Sequence, residues 1–261
     1  LIINNLFKNL GDDKLLEIVV TYYHYRYYPI CFSAKYFKLC DRNSPDVNEC
    51  LVGAIQDGIS VMANGIKELN VPPIEPYYQK ELRVSYSQNQ VSKVTLKDIN
   101  VYGLKAAKVK KVRLRADDDR FHLEVDIAAP KLYVEGTYIG DGSFNTLAIN
   151  TTGKLNATMT DVVCTWKLDG KPEKKGDQTH IRINSFYMRP DVSYLGAFLS
   201  NDNPESKEIT DLGNQFANSN WKTLYTEMLP AAQANWNKLG IRIANKLFLK
   251  VPYDQLFPEE S

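Results

Sequence analysis

Along the last fifth of the chain, apolar residues return at Leu212, Phe216, Trp221, Leu224, Met228, Ala232, Trp236, Leu239, Ile243 and Leu247. These short steps trace one stripe of an α-helix, with a slip between Phe216 and Trp221. As a single element from Pro204 to Leu249 the stripe would run on the order of 65 Å at 1.5 Å per residue. Pro230 lacks the N–H for one ladder bond, so the pattern predicts a bent helix whose two segments meet near Leu229. Two Trp, a Phe and a Met on the seam, without strict sevens of Leu or Ile, exclude a coiled coil. A second helical period runs through Val47, Leu51, Ala54, Ile55, Ile59, Met62, Ile66 and Leu69. Asp46 followed by Glu49 reads as an N-cap with a capping box, and Val71-Pro-Pro-Ile-Glu-Pro76 ends this helix near Leu69.

Between Leu82 and Met188 the period changes to two, the spacing of half-buried strands. Val84 and Tyr86, Val91 to Val101, and Val109, Val112 and Leu114 alternate with polar residues. Asp117-Asp-Asp119 reads as a turn before Phe121, Leu123, Val125 and Ile127. Pro130 breaks that run ahead of Leu132, Val134 and Tyr138, and Asp141-Gly142 is a hairpin signal. Leu155, Ala157 and Met159 fall out of phase with Val162, Cys164, Trp166 and Leu168, which predicts a bulge at Thr160-Asp161. Asp169-Gly-Lys-Pro172 and a Lys-rich turn precede a last strand, Ile181 to Met188. Long one-sided strands with helices at both ends give an α+β fold: a highly curved antiparallel sheet wrapped around the long C-terminal helix, with a second, N-terminal helix. No linker is evident, so residues 40–258 read as one domain, preceded by an extension over 1–39 and followed by a tail over 259–261.

Composition narrows the function classes. With 32 basic and 31 acidic side chains, no net field recruits nucleic acid or an anionic membrane. No apolar run approaches the roughly 18 residues of a membrane span, which reads as a soluble chain. Residues 1–39 are Tyr-rich and aperiodic, a mispredicted start or the remnant of a signal peptide near Ile30 to Ala34. Cys40 and Cys50 bracket a short polar loop, and on spacing alone a disulfide is favoured over two free thiols; no zinc pattern accompanies them. Cys164 reads as a small buried hydrophobe in a strand, and Cys31 has no evident place. Asn150-Thr-Thr and Asn156-Ala-Thr are N-glycosylation sequons which, with the Cys pair, lean towards a secreted protein.

No catalytic constellation stands out. His24, His122 and His180 read as surface or structural residues, none at metal spacing with another ligand. Asp117-Asp118-Asp119 lacks any EF-hand continuation. The basic strand Lys108 to Arg115 has no interleaved aromatics and reads as a solvated sheet face. The pattern implies no enzyme, no cofactor and no metal. A sheet curled on a helix either encloses an apolar cavity suited to an elongated ligand or closes into an ordinary packed core, and periodicity leaves both open.

Several segments resemble the takeout / haemolymph juvenile-hormone-binding protein family of insects. They are Cys40-Asp-Arg-Asn-Ser-Pro-Asp-Val-Asn-Glu-Cys50, Gly65-Ile-Lys-Glu-Leu-Asn-Val-Pro-Pro-Ile-Glu-Pro76, Tyr133-Val-Glu-Gly-Thr-Tyr138 with Asp141-Gly, Asn218-Ser-Asn-Trp221, Leu229-Pro230, and Lys250-Val-Pro-Tyr-Asp-Gln-Leu-Phe-Pro258. The resemblance implies a tubular lipid-binding fold, a long helix inside a curved sheet around a hydrophobic tunnel. It also implies a Cys40–Cys50 disulfide. It further implies a secreted carrier, in haemolymph or sensory fluid, of a fatty-acid-like molecule or a terpenoid such as juvenile hormone, with links to circadian and feeding physiology. The chain is expected to be a monomer, and a cell-surface receptor is a further candidate partner. Cys164 has no evident downstream partner for a second bridge, which fits the takeout-like branch and puts juvenile hormone itself in doubt. The expected lining comprises Val125, Ile127, Leu132, Val134, Tyr138, Met159, Cys164 and Trp166 from strands, and Ile59, Met62, Trp221, Leu224, Met228 and Trp236 from helices, with the Tyr138 hydroxyl orienting a head group. The competing reading is an extracellular signalling or interaction protein with a filled core and no carried ligand.

Overall fold

The computed structural model describes residues 37–87, 91–117, 119–144 and 147–258. Cys31, His24 and nearly all of the N-terminal extension, Asp118, the tail over 259–261 and the side chain of Asn150 lie outside the described set. In chain order come α1 (Val47–Met62), β1 (Tyr77–Ser87), β2 (Val91–Tyr102), β3 (Lys108–Ala116), β4 (Phe121–Phe144), β5 (Leu147–Lys175), β6 (Gln178–Asp191), β7 (Tyr194–Leu199), α2 (Lys207–Ser219), α3 (Trp221–Phe248) and α4 (Tyr253–Leu256). Among the described residues the seven strands form one antiparallel sheet. β4 and β5 are its spine, paired from Phe121↔Gly170 to Phe144↔Leu147. β3 and β2 share the free side of β4, one along each half, and β6 and β7 share the free side of β5 in the same way. α3 touches both β6 and β1, so it joins two edges of the curled sheet.

Several boundaries differ from the sequence expectation, each for a local reason. α1 stops at Met62, because Gly65 turns left-handed (φ +77°) and its missing Cβ is what lets the Val71 carbonyl approach. No capping box forms: Asp46 makes no side-chain cap, and its own N–H donates to Ser44 Oγ. The C-terminal helix breaks at Asn220 (φ −115°, ψ 21°), the position of the slip in the apolar stripe, while α3 continues through Pro230. Asn220 Nδ2 donates back to the Phe216 carbonyl, a local bond that competes with helix propagation. Pro230 is exposed, so its orphaned partner carbonyl, from the exposed Thr226, is open to solvent.

Asp141-Gly142 is not a turn. β4 runs on to Phe144, and the β4–β5 connection falls at 145–146, outside the described residues. Asp169-Gly170 marks a register shift against β6 inside β5, and the turn comes at Gly176-Asp177. Pro130 does not end its strand either. It faces Asp161, whose φ is +49°, with the β4–β5 register unchanged on both sides. The expected bulge is instead a paired kink. Ala129 and Val162 are buried on the inner face, and the half-buried Leu132 and Met159, three residues on, pack against the same core; both strands therefore swap faces together. β7, the six-residue stretch Tyr194–Leu199, is a further strand beyond the one expected to end the sheet at Met188.

The core sits under the first half of β4. Phe121 is fully buried against Phe248 and Phe257, at ring distances of 5.3 and 5.7 Å, and Val112, Val125, Ile181 and Ile183 surround it. A disulfide joins Cys40 to Cys50, and the loop it closes holds the C-terminal end through Arg42, which donates its N–H to the Pro258 carbonyl and pairs with Asp254.

On the outer face of the same half, Arg113 pairs with Glu124 (2.6 Å) and Asp126 (2.7 Å), and Lys167 joins Glu124 at 3.1 Å. Hydrogen bonds from Arg113, then from Lys167, hold the Glu124 carboxyl at about 2; Arg113, against the cost of burial, does the same for Asp126. A depressed folded-state pKa stabilises the fold above the unfolded value near 4 and loses that contribution as the pH falls towards 2. Solvent screening keeps the gain modest. An Arg113→Met protein is therefore expected to melt a few degrees below the parent at pH 7, with the gap closing between about pH 5 and 2. Thermal unfolding across that range checks it; a constant gap would contradict the assignment.

Candidate functional site

Directly paired residues of an antiparallel sheet share a face, so the register shows which side chains form each row. In the first half of the spine the inner rows are Val109–Ile127–Cys164–Pro190, Val112–Val125–Trp166–Met188 and Leu114–Leu123–Leu168–Phe186. α1, α4 and the end of α3 cover them, and most are buried. Beyond the kink the inner rows are Leu132–Met159–Leu195, Val101–Val134–Ala157–Ala197 and Gly136–Leu155–Leu199. Every residue in these three rows is only half-buried. The opposite face carries Tyr102–Tyr133–Thr158–Gly196 and Asn100–Glu135–Asn156–Phe198, where Tyr102 donates to Glu135 and Tyr133 to Asn156. The fold thus has a dry, packed half and a half whose inner face is apolar yet incompletely covered.

The far end of this apolar face is closed. Tyr138 is buried, and its hydroxyl donates to the Ser200 carbonyl at 3.0 Å and lies 3.2 Å from Thr151 Oγ1. The chain after β7 folds over Gly153, where any Cβ would strike the Ser200 carbonyl at 1.8 Å and approach the Tyr138 ring at 3.1 Å. The Tyr138 hydroxyl, expected to orient a ligand head group, is hydrogen-bonded within this seam.

The other expected lining residues divide. Ile59, Val125 and Ile127 lie in the packed core, and Met62 joins a separate cluster of Ile66, Leu69, Val71 and Val251. Leu132, Val134 and Met159 face the uncovered half. Cys164 and Trp166 stand at the border, with Trp166 6.5 Å from the Phe186 ring. Burial pushes the Cys164 thiol up to about 12, so it is an uncharged wall group and no nucleophile at neutral pH. Leu224 and Trp236 are half-buried on α3. Trp221 stacks edge-on against Tyr194, whose hydroxyl lies over the outer side of Gly196, so Trp221 sits away from the apolar rows. Met228 stays 45% exposed. The residue that α3 buries in this stretch is Leu229, and Gly240 admits the Phe186 ring where a Cβ would meet it at 2.1 Å. The same half-buried inner rows hold Val101, Leu155, Ala157, Leu195, Ala197 and Leu199, which the sequence-based lining does not include. The alternation at 155, 157 and 159 was a usable signal for two of them.

Polar chemistry at the site is sparse. Tyr225 donates to the Pro190 carbonyl at 2.7 Å, and burial, then the Asp191 charge, raises its phenol to about 12, so it remains a neutral donor. His122 pairs with Asp169 at 2.6 Å on the outer face, and His180 is buried in β6 with Nδ1 lacking a protein partner. Asp117 caps its own turn by accepting from the Asp119 and Arg120 N–H groups. Among the described residues no group of His, Cys, Asp or Glu has metal-site geometry. Among the described residues no helix is long and apolar enough to cross a membrane.

A family model for haemolymph juvenile hormone binding protein matches residues 27–258, beginning upstream of Cys40. The circadian clock-controlled protein daywake of Drosophila melanogaster is 26% identical over 218 residues, covering 81% of this chain and 84% of that protein. The crystal structure of Takeout 1 from Epiphyas postvittana superimposes with a TM-score of 0.68 at 21% identity, over 84% of this chain and 98% of the other, so the two share a fold. With the family model spanning nearly the whole described chain, the protein belongs to the haemolymph juvenile hormone binding protein family.

Proposed function

We propose that this protein is a non-enzymatic carrier that holds an elongated apolar molecule along the inner face of its open half. The observation that carries this reading is the set of three apolar rows left half-buried in a chain that packs its other half to dryness. Covering those rows with a ligand would contribute roughly 25 cal/mol per Å² of apolar surface removed from water, less the costs of ordering. The rows are lined by aliphatic groups and Met, with a single neutral donor nearby, which suits a fatty-acid-like or terpenoid chain of the juvenile-hormone type better than a polar metabolite. The Cys40–Cys50 bridge and the Asn156 sequon support secretion. The name of the Drosophila relative supports a place in clock-controlled physiology.

The test is native mass spectrometry of protein secreted from insect cells, then solvent extraction and titration with 11-(dansylamino)undecanoic acid. An extractable apolar species, or saturable uptake of one probe per chain, is expected. A clean apo mass with no uptake would instead favour an interaction protein with a filled core.

A further inference from the structure

Three helices grip the edges of this sheet through side-chain amides that imitate a neighbouring strand. On α1, Gln56 accepts from Val109 N–H (3.0 Å) and donates to the Ala107 carbonyl (3.1 Å). On α3, Asn245 accepts from Ile183 N–H (2.8 Å) and donates to its carbonyl (2.9 Å). On α2, Asn214 does the same for Leu199 (2.8 Å each way) and Asn218 for Ala197 (2.9 and 2.7 Å). The clamps of the three helices share a chemistry but not a setting. α1 also buries Leu51, Ala54 and Ile59, and α3 buries Leu229 and Phe248. The buried residue of α2 is Asn214 itself, while Ile209, Leu212 and Phe216 are 62–65% exposed.

The clamp residues Asn214 and Asn218 lie on one side of α2, and the apolar stripe of Ile209, Leu212 and Phe216 lies about half a turn of the helical wheel away, so β7 leaves the stripe uncovered. The regular helix is interrupted at both ends of α2. Asn220 departs from helical geometry before α3, and Asn203 is extended before the short 3₁₀ turn at Pro204–Ser206. β7, the strand that α2 grips, is the wall of the half-buried apolar rows.

We propose that α2 is a strap that opens by releasing its two asparagine clamps from β7, and that this opening is the route by which an apolar ligand enters and leaves the rows behind it. The ligand part rests on the carrier reading; the opening itself does not. Part-buried hydrogen bonds at a sheet edge, on a helix with no fully buried apolar side chain behind them, are the bonds that break in local opening while the rest of the fold stands. α1 and α3 stay closed because releasing their clamps also exposes core side chains.

Two measurements on the full chain separate the two parts. In native-state hydrogen exchange, the Ala197 and Leu199 amides are expected to exchange at least about tenfold faster than the Ile183 and Val109 amides. Equal protection at all four would overturn the strap. In stopped-flow displacement of 11-(dansylamino)undecanoic acid, an Asn214→Ala/Asn218→Ala protein is expected to release the probe about tenfold faster than the parent, while Asn245→Ala, if folded, leaves the rate unchanged. Unchanged release from the α2 variant would overturn α2 as the route. Fast amide exchange in a parent that binds no probe would keep the strap and overturn the carrier reading and the entry route with it.

Discussion

Replacing Phe121 by alanine is expected to cost about 3–5 kcal/mol of folding stability, the range for removing a fully buried aromatic ring. Phe121 has no exposed surface, and its ring meets Phe248 at the end of α3 and Phe257 beyond α4. On the sheet it lies between Ala116 and Gly170, two residues too small to close the space the ring would leave. The hole would therefore persist, and the two helical ends that rest on it would lose a shared anchor. Urea unfolding of the parent, Phe121→Ala and Leu132→Ala measures this. Leu132 is half-buried on the uncovered face, so its truncation is expected to cost on the order of 1 kcal/mol. Equal losses at the two positions would contradict the division into a packed half and an open half.

That division is set by which helices reach which rows. α1, α4 and the C-terminal end of α3 converge on the first half of β4, and the disulfide-closed loop holds the C-terminal end there through Arg42. The first turns of α3 meet β6 at the border of that half through polar groups, Tyr225 to the Pro190 carbonyl and Gln233 to the Met188 carbonyl, and the second half receives the strap α2, anchored to β7 by Asn214 and Asn218. Apolar strand residues there are inward by register but only half-buried. The paired kink at Pro130 and Asp161 makes this possible, because it keeps the inner face apolar along strands of 24 and 29 residues that would otherwise twist it away.

The alternation of Phe121, Leu123, Val125 and Ile127 was legible as a strand because burial on one face imposes period two, and the helical stripe beyond Leu212 was legible for the corresponding reason. What misled were residues whose local preference the tertiary structure overrides. Asp141-Gly142 and Asp169-Gly170 carry turn chemistry, yet both sit inside long strands where pairing on two sides outweighs it. Pro130 reads as a strand end, but its missing N–H faces the one residue of β5 that is left-handed. Pro230 reads as a helix bend, but an exposed proline costs α3 one bond, whereas the slip at Asn220 is where the stripe changes face. For the site, the alternation puts Leu132, Val134 and Met159 on the inner face together with Val125 and Ile127. It cannot separate the two groups, since the difference lies in which helices arrive from distant parts of the chain. The amide clamps were invisible for the same reason. An Asn on a helix shows no sign that its partner is a strand edge.

Replacing Met159 by arginine is expected to abolish tight binding of an apolar probe while leaving the fold intact. Met159 lies at the centre of the row Leu132–Met159–Leu195 and is half-buried, packed against the margin of the core. An arginine there can reach water in the empty protein, so the cost to folding is small. A ligand lying along the row would have to strip that water from an unpaired guanidinium, which costs several kcal/mol. About 3 kcal/mol of lost affinity corresponds to a weakening of roughly a hundredfold. The neighbouring Thr158 points to the opposite face, in the row Tyr133–Thr158–Gly196, so Thr158→Arg adds the same charge to the same strand without meeting the ligand. Titrating all three proteins with 11-(dansylamino)undecanoic acid, alongside their thermal midpoints, gives the comparison. Weak binding by Met159→Arg with parent-like binding by Thr158→Arg places the ligand on the inner rows. Equal binding by both variants moves it elsewhere, and a Met159→Arg midpoint far below that of Thr158→Arg would mean that the row is packed core after all.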